Sequence, residues 1–401
     1  MRVSRWTLGV AAMVVTASLA AAQAGRGQSQ RVQIKPGEEC PPGMTEVRPQ
    51  SCAAPEKPAP SIVDYRPRST VVAAEHLVPK AKFPVIDIHN HTDIGAGNIE
   101  QMIRDMDELN LRVLVNLTAA GRGGAAHLKE NVAFLRSSPH RDRFRVFAWV
   151  TWDGAGTAEW RDREVKSLRQ QIADGAIGLK IAKNLGLSAK KADGSRLKVD
   201  DPDLDPIWQV CADAKIPVII HTADPQQFFV PVDMHNERWL ELNLFSNRNF
   251  PQDRYPSFET VTGERDRMYK RNPKTTYIGA HFNWYGNDFG KVAKQLDETP
   301  NLVLEVGAVL YEFGRQPRAA RELFTKYQDR VLFGKDAYEK SEYPYYWRVF
   351  ETKDEYFDYY RDYHAFWKLY GMDLPDEILK KLYYKNALRI APGLPQTGWP
   401  R

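Results

Sequence analysis

The chain has 401 residues, 43% of them hydrophobic and 27% charged, an ordinary globular composition that excludes a disordered or fibrous protein. Its formal net charge is only +5, and no basic stripe is interleaved with aromatic residues, so nucleic acid is excluded as an expected partner. The length suits one large α/β barrel with decorations, or roughly two or three average domains.

The first residues read as a secretory signal. Arg2 and Arg5 supply a positive n-region, Trp6 to Leu19 an apolar or small-residue core, and Ala20-Ala21-Ala22 or Ala22-Gln23-Ala24 a cleavage site. The apolar run is short and gives way to Ala, Gln and Gly, which favours cleavage over a membrane anchor. Residues 1–24 are therefore expected to be removed on export, leaving a secreted or periplasmic protein with no membrane attachment. Residues 25–82 follow as an extended Pro-rich segment with little periodicity. In an oxidising compartment its Cys40 and Cys52 favour a disulfide. Cys211 lies in an apolar helical pattern and reads as a small core residue.

From Phe83 onward short β-branched runs alternate with longer amphipathic stretches, which implies βα units and a parallel sheet. Eight strands are expected over 85–89, 112–117, 145–150, 177–182, 217–221, 276–280, 302–306 and 330–334. Helical stretches separate them, over 99–110, 126–137, 158–173, 204–214, part of 258–270, 288–297 and 318–326. Eight such units predict a (β/α)8 TIM barrel over 83–392, with its active site at the C-terminal strand ends. A doubly wound open sheet would need a Gly-rich phosphate turn after the first strand, where this chain has His-Asn-His-Thr-Asp. Two long connections stand out, 183–201 and 224–273. The second is rich in aromatics and is expected to build a substrate pocket, a lid or an oligomer interface. Helical spacing continues over 356–370 and 375–390, and 393–401 forms a short tail.

The strand ends carry the chemistry. Val85-Ile86-Asp87-Ile88-His89-Asn90-His91 closes an apolar alternation with two histidines. Positions i and i+2 of a strand share a face, so both imidazoles project together. Two neutral imidazoles so placed can share one divalent metal. The fourth strand carries Lys180, the fifth ends in His221, the sixth in His281 and the eighth in Asp336. A parallel barrel brings such ends into one ring.

These residues resemble the amidohydrolase superfamily, in particular the amidohydrolase-related branch that includes aminocarboxymuconate-semialdehyde decarboxylase. The resemblance rests on Ile86-Asp87-Ile88-His89-Asn90-His91, on His221 and His281 after strands five and six, on Leu332-Phe333-Gly334-Lys335-Asp336, and on Asn386-Ala387-Leu388-Arg389. It spans roughly residues 83–392. Lys335 departs from the pattern, since many relatives carry Thr or Ser there.

The resemblance implies that His89, His91, His221 and Asp336 bind one metal, expected to be zinc, while His281 stays off it. Asp336 and His281 are then the catalytic pair, Asp336 accepting a proton and His281 acting on substrate or water. In binuclear relatives a Lys at the end of strand four is carboxylated and bridges two ions; here one ion is expected, with Lys180 as a pocket cation. Glu305 and Arg315 are further candidates for substrate binding, with a structural ion pair as the alternative reading. The expected activity is hydrolysis of an amide, ester or lactone carbonyl by metal-bound hydroxide. The alternatives are non-oxidative decarboxylation of an aromatic or unsaturated acid, and ligand capture on an inactive barrel. The expected partner is a small-molecule substrate, with a homo-oligomer possible.

Overall fold

A computed structural model describes residues 31–118, 121, 124–364 and 366–400. The expected signal at 1–24 lies outside them. The chain divides into two units, residues 1–70 and 71–401.

In the first unit, β1 (Arg31–Gln33), β2 (Thr45–Arg48) and β3 (Ser51–Ala53) form an antiparallel sheet in the order β1–β3–β2. This sheet lies where an extended segment was expected. Cys40 and Cys52 are joined, and the bond ties β3 to the loop before β2. Such a short closed loop constrains mainly its own neighbourhood.

The second unit contains the barrel strands: β4 (Val85–His91), β5 (Leu111–Asn116), β6 (Phe144–Val146), β7 (Ala148–Trp149), β8 (Leu179–Ile181) and β9 (Val218–Ile220). They continue with β10 (Tyr277–Gly279), β11 (Leu302–Glu305), β12 (Val331–Leu332) and β13 (Asp336–Ala337). All pairings between them are parallel.

Two barrel strands change partners part-way. β6 pairs with β5 and β7 with β8, the switch falling at Phe147; β12 pairs with β11 and β13 with β4. Single bonds carry the ladder across each break. Phe147 N donates to Asn116 O at 3.2 Å, Ile88 N to Phe333 O at 3.1 Å and Lys335 N to His89 O at 3.2 Å. The eight expected strands thus stand in a ring as a (β/α)8 barrel, with the third and eighth each split in two.

The strands are buried and aliphatic because helices cover their outer faces. The helix Ile99–Leu109 shows how: Ile99, Met102, Ile103, Met106 and Leu109 are buried at helical spacing, giving one apolar stripe. The helix Ala158–Asp174 starts where Thr157 accepts from Trp160 N, and Phe258–Arg271 where Ser257 accepts from Thr260 N.

The expectation of helix over 356–370 is corrected. That stretch is irregular, closed by a bridge in which Phe357 and Leu369 exchange backbone bonds at 3.1 and 2.8 Å. Its tyrosines pack instead on rings, Tyr359 on Tyr311 at 5.9 Å and Tyr345 on Tyr360 at 5.2 Å. The helix preceding it, Tyr343–Glu351, was not read from the sequence although Tyr343, Tyr346, Trp347 and Phe350 are buried at its turn spacing. Helical turns do occupy Asp376–Lys380, Lys381–Lys385 and Asn386–Ile390. No helix of the described residues is long and apolar enough to cross a membrane.

The aromatics of the long 224–273 connection join the hydrophobic core of the barrel. Phe228, Phe229, Phe250 and Phe258 are buried, and Phe229 stacks on Phe250 at 5.0 Å. Arg238, also buried, lies over Phe228 and Tyr311 and pairs with Glu241.

Candidate metal centre

His89 is fully buried at the end of β4, and His91 is partly open. His89 Nδ1 lies 2.9 Å from Glu305 Oε1. Glu305 accepts on every side: its Oε1 also takes His281 N at 2.5 Å and its Oε2 takes Gly307 N at 2.6 Å. A proton on Nδ1 leaves His89 Nε2 with a lone pair facing the barrel mouth. His91 Nδ1 lies 2.9 Å from Thr118 Oγ1, which turns its Nε2 the same way. The two Nε2 atoms are 3.3 Å apart, and Asp336 Oδ1 is 3.3 Å from the first and 3.8 Å from the second.

A second pair stands beside the first. His281 Nδ1 lies 2.9 Å from Gly307 O, and a carbonyl only accepts, so Nε2 holds the lone pair. His221 Nε2 meets Asp224 Oδ1 at 3.2 Å, leaving its Nδ1 as the acceptor. His281 Nε2 and His221 Nδ1 are 3.3 Å apart, and the His89 and His281 rings are 4.9 Å apart. In the second pair two ring nitrogens without protons thus face each other at 3.3 Å, an arrangement that repels unless a cation or a shared proton lies between; in the first, the Thr118 hydroxyl can donate or accept, so His91 can carry its proton on either nitrogen. Neutral imidazoles and a carboxylate make a donor set for a divalent ion, so the residues fit a metal.

The electrostatics keep these groups in their ligating forms. Burial lowers all three of His89, His221 and His281, the last to about 4, with neighbouring cations and imidazoles adding to the effect. For Asp336 burial pushes the carboxyl up, but His281, His89, His91 and Lys180 outweigh it and hold it well below the usual range. Lys180 Nζ is 3.0 Å from His89 Nε2, and burial lowers it to about 8 against the opposing pull of Asp336 and Glu305.

Local backbone makes these approaches possible. A Cβ on Gly334 would lie 2.5 Å from Glu305 Oε2 and 2.8 Å from His89 Cβ, so only glycine lets the eighth strand pass there. Asp336 itself has φ +83°. After β10 the residues His281, Phe282, Asn283 and Trp284 form a left-handed turn, with φ between 54° and 58°. Non-glycine residues rarely take this form. It is held by Arg265 Nη1 donating to Asn283 O at 3.0 Å and by Trp284 Nε1 donating to Ala223 O at 3.1 Å.

Of the residues expected from the sequence, His89, His91, Lys180, His221, His281 and Asp336 converge. Two residues follow the structural ion-pair reading instead of the substrate-binding one. Glu305 lies behind His89, its fully buried carboxylate facing three N–H groups, as the ion-pair alternative had it. Arg315 pairs with Glu237 at 3.2 Å and Glu312 at 2.7 Å and lies over Trp367, as the ion-pair alternative had it. The sequence reading missed Asp224, three residues after His221 in the same polar strand end. It also missed Asp87, two residues before His89, although strand alternation relates the two. Asp87 is fully buried and accepts from His89 N, Lys335 N, Asn90 Nδ2 and Tyr343 OH; burial raises it to about 6.

The pattern of the amidohydrolase family matches residues 86–390, which takes in every convergent residue above. This chain belongs to the amidohydrolase family. Among solved structures, this amidohydrolase is similar to an uncharacterised TIM-barrel protein of Bordetella bronchiseptica, at 17% identity and a TM-score of 0.50. The match covers 78% of this chain and 99% of that one. It is similar also to a dihydroxybenzoic acid decarboxylase of a Polaromonas species, solved with manganese and 2-nitroresorcinol. There the identity is 12% and the TM-score 0.50, over 77% of this chain and 97% of that one. At these identities the likeness is one of fold. No curated protein matches this amidohydrolase.

Proposed function

We propose that this amidohydrolase is a zinc-dependent hydrolase acting on the carbonyl of an amide, ester or lactone. The observation that carries the reading is the facing of His89 Nε2 and His91 Nε2 at 3.3 Å with Asp336 Oδ1 beside them. His89, His91, His221 and Asp336 would hold the ion, which when bound supplies Lewis-acid polarisation and a water acidic enough to react near neutral pH. Asp336, kept charged, accepts a proton at its carboxylate. His281 is fixed through Nδ1, so its neutral form takes a proton at Nε2 and returns it to the leaving group. It therefore cannot donate to an oxyanion until it is protonated. Lys180 Nζ is the standing donor in the cluster and suits that role.

Lys180 also favours a second reading. A buried cation 3.0 Å from a ligand nitrogen suits a substrate carboxylate, as decarboxylation of an aromatic or unsaturated acid requires. Assaying the metal-loaded protein on a lactone, ester and amide panel, and for CO2 release from hydroxybenzoates, separates the two. Turnover of the first panel alone supports hydrolysis. Turnover in neither overturns both readings and leaves ligand capture.

Export remains part of the proposal. It is supported by the n-region arginines, the following apolar run and the Cys40–Cys52 bond.

A further inference from the structure

We propose that Lys335 is a positioning residue for Asp336, holding the end of the eighth strand so that the carboxylate faces His89 and His91. The inference rests on Asp336 being a metal ligand.

Asp336 has φ +83°, a backbone form that an aspartate tolerates better than most residues but does not hold unaided. The backbone one peptide beyond it on either side is held through one residue. Lys335 N bonds His89 O at 3.2 Å and Asp87 Oδ1 at 3.1 Å, before the strained position. Lys335 Nζ reaches over it to Ala337 O at 2.7 Å, after that position. Ala337 is the residue in register with His91, and Asp336 the one in register with Asn90. The lysine therefore fixes the twist at Asp336 and the register of the eighth strand against the strand that carries both histidines.

The choice of residue points the same way. The Lys335 side chain is 1% exposed, a costly place for an ammonium unless it is paired. The fold supplies the pairing: Glu342 Oε2 is 2.5 Å from Nζ, Arg361 Nη2 is 3.2 Å from Glu342 Oε1, and the Tyr343 ring lies 5.3 Å from Nζ. An apolar side chain would fill the volume without these partners. What it would not supply is a donor to Ala337 O, the contact that spans Asp336.

The test is zinc affinity of the full-length protein, read by competition with a chromophoric chelator well below the melting temperature. K335M is expected to weaken zinc binding by about 10–100-fold, the range for groups that orient a ligand. The K335M/E342Q variant leaves no unpaired buried carboxylate, and it keeps the test open if K335M fails to fold; the same weakening is expected. A lysine that only supports the fold would lower the melting temperature and leave the zinc affinity of the folded protein alone. Affinity within about threefold of the parent in either folded variant overturns the proposal. A parent that binds no zinc, manganese or iron overturns the metal reading itself, which separates the two failures.

Discussion

His89 and His91 stand two residues apart on one strand, whereas His221 and His281 come from different strand ends 60 residues apart, yet each pair brings two ring nitrogens to 3.3 Å. The first pair needs only β-alternation, which every strand provides. The second needs a left-handed turn of four non-glycine residues, each at a cost of roughly 1–2 kcal/mol. That cost must be offset by the surroundings. Arg265, Tyr269 and Gln295 all bond Asn283, at 3.0, 3.2 and 2.9 Å. One half of the centre is therefore carried by regular secondary structure and the other by a packed polar core beneath a strained loop.

The contrast can be broken at the turn. Asn283 tolerates its positive φ and makes buried bonds to Tyr269 and Gln295, so Asn283→Ala removes both supports. A loss of about 2–4 kcal/mol in urea unfolding is expected, with the zinc affinity of the folded protein changed far less. An unfolding curve like the parent's would show that the turn is not held by Asn283.

A smaller effect is expected from Asp224→Ala, which frees the His221 ring while leaving β9 intact. Turnover or metal affinity should fall by about tenfold or somewhat more, and His221→Ala combined with it should add little. Additive losses would show that Asp224 acts elsewhere, for example through Lys183, with which it pairs at 2.5 Å.

The smallest effect concerns pH. His364 is buried against Tyr311 and Tyr359, 3.5 Å from Glu241, and burial, with Arg238, lowers it to about 4. Between the usual imidazole value near 6.5 and about 4, the unfolded chain binds a proton that the folded chain refuses. Stability should therefore fall as pH drops through that window. Glu241, held at about 2, extends the fall below the usual carboxylate range. His364→Phe keeps the ring packing and should flatten the melting-temperature profile above pH 4; parallel profiles would remove His364 from the explanation.

The same contrast explains what was legible in the sequence. All eight strands and the strand-end residues His89, His91, Lys180, His221, His281 and Asp336 follow from local patterns of apolar runs meeting polar ends. The two readings of Glu305 could not be separated because its partner His89 is 216 residues away, and no local pattern says which carboxylate lies behind an imidazole and which faces a substrate. The stretch 356–370 was misread because its aromatic spacing, which suits a helix face, serves ring packing on Tyr311 and Tyr345 instead. The left-handed turn at 281–284 had no signal, since it contains none of the glycines that mark positive φ.

Metal content of the purified protein tests the centre most directly. The parent is expected to carry about one divalent ion per chain, and His89→Ala, His91→Ala and Asp336→Ala to carry almost none after the same dialysis while remaining folded. A parent without bound metal, or variants that retain as much as the parent, would contradict the assignment of these three residues as ligands.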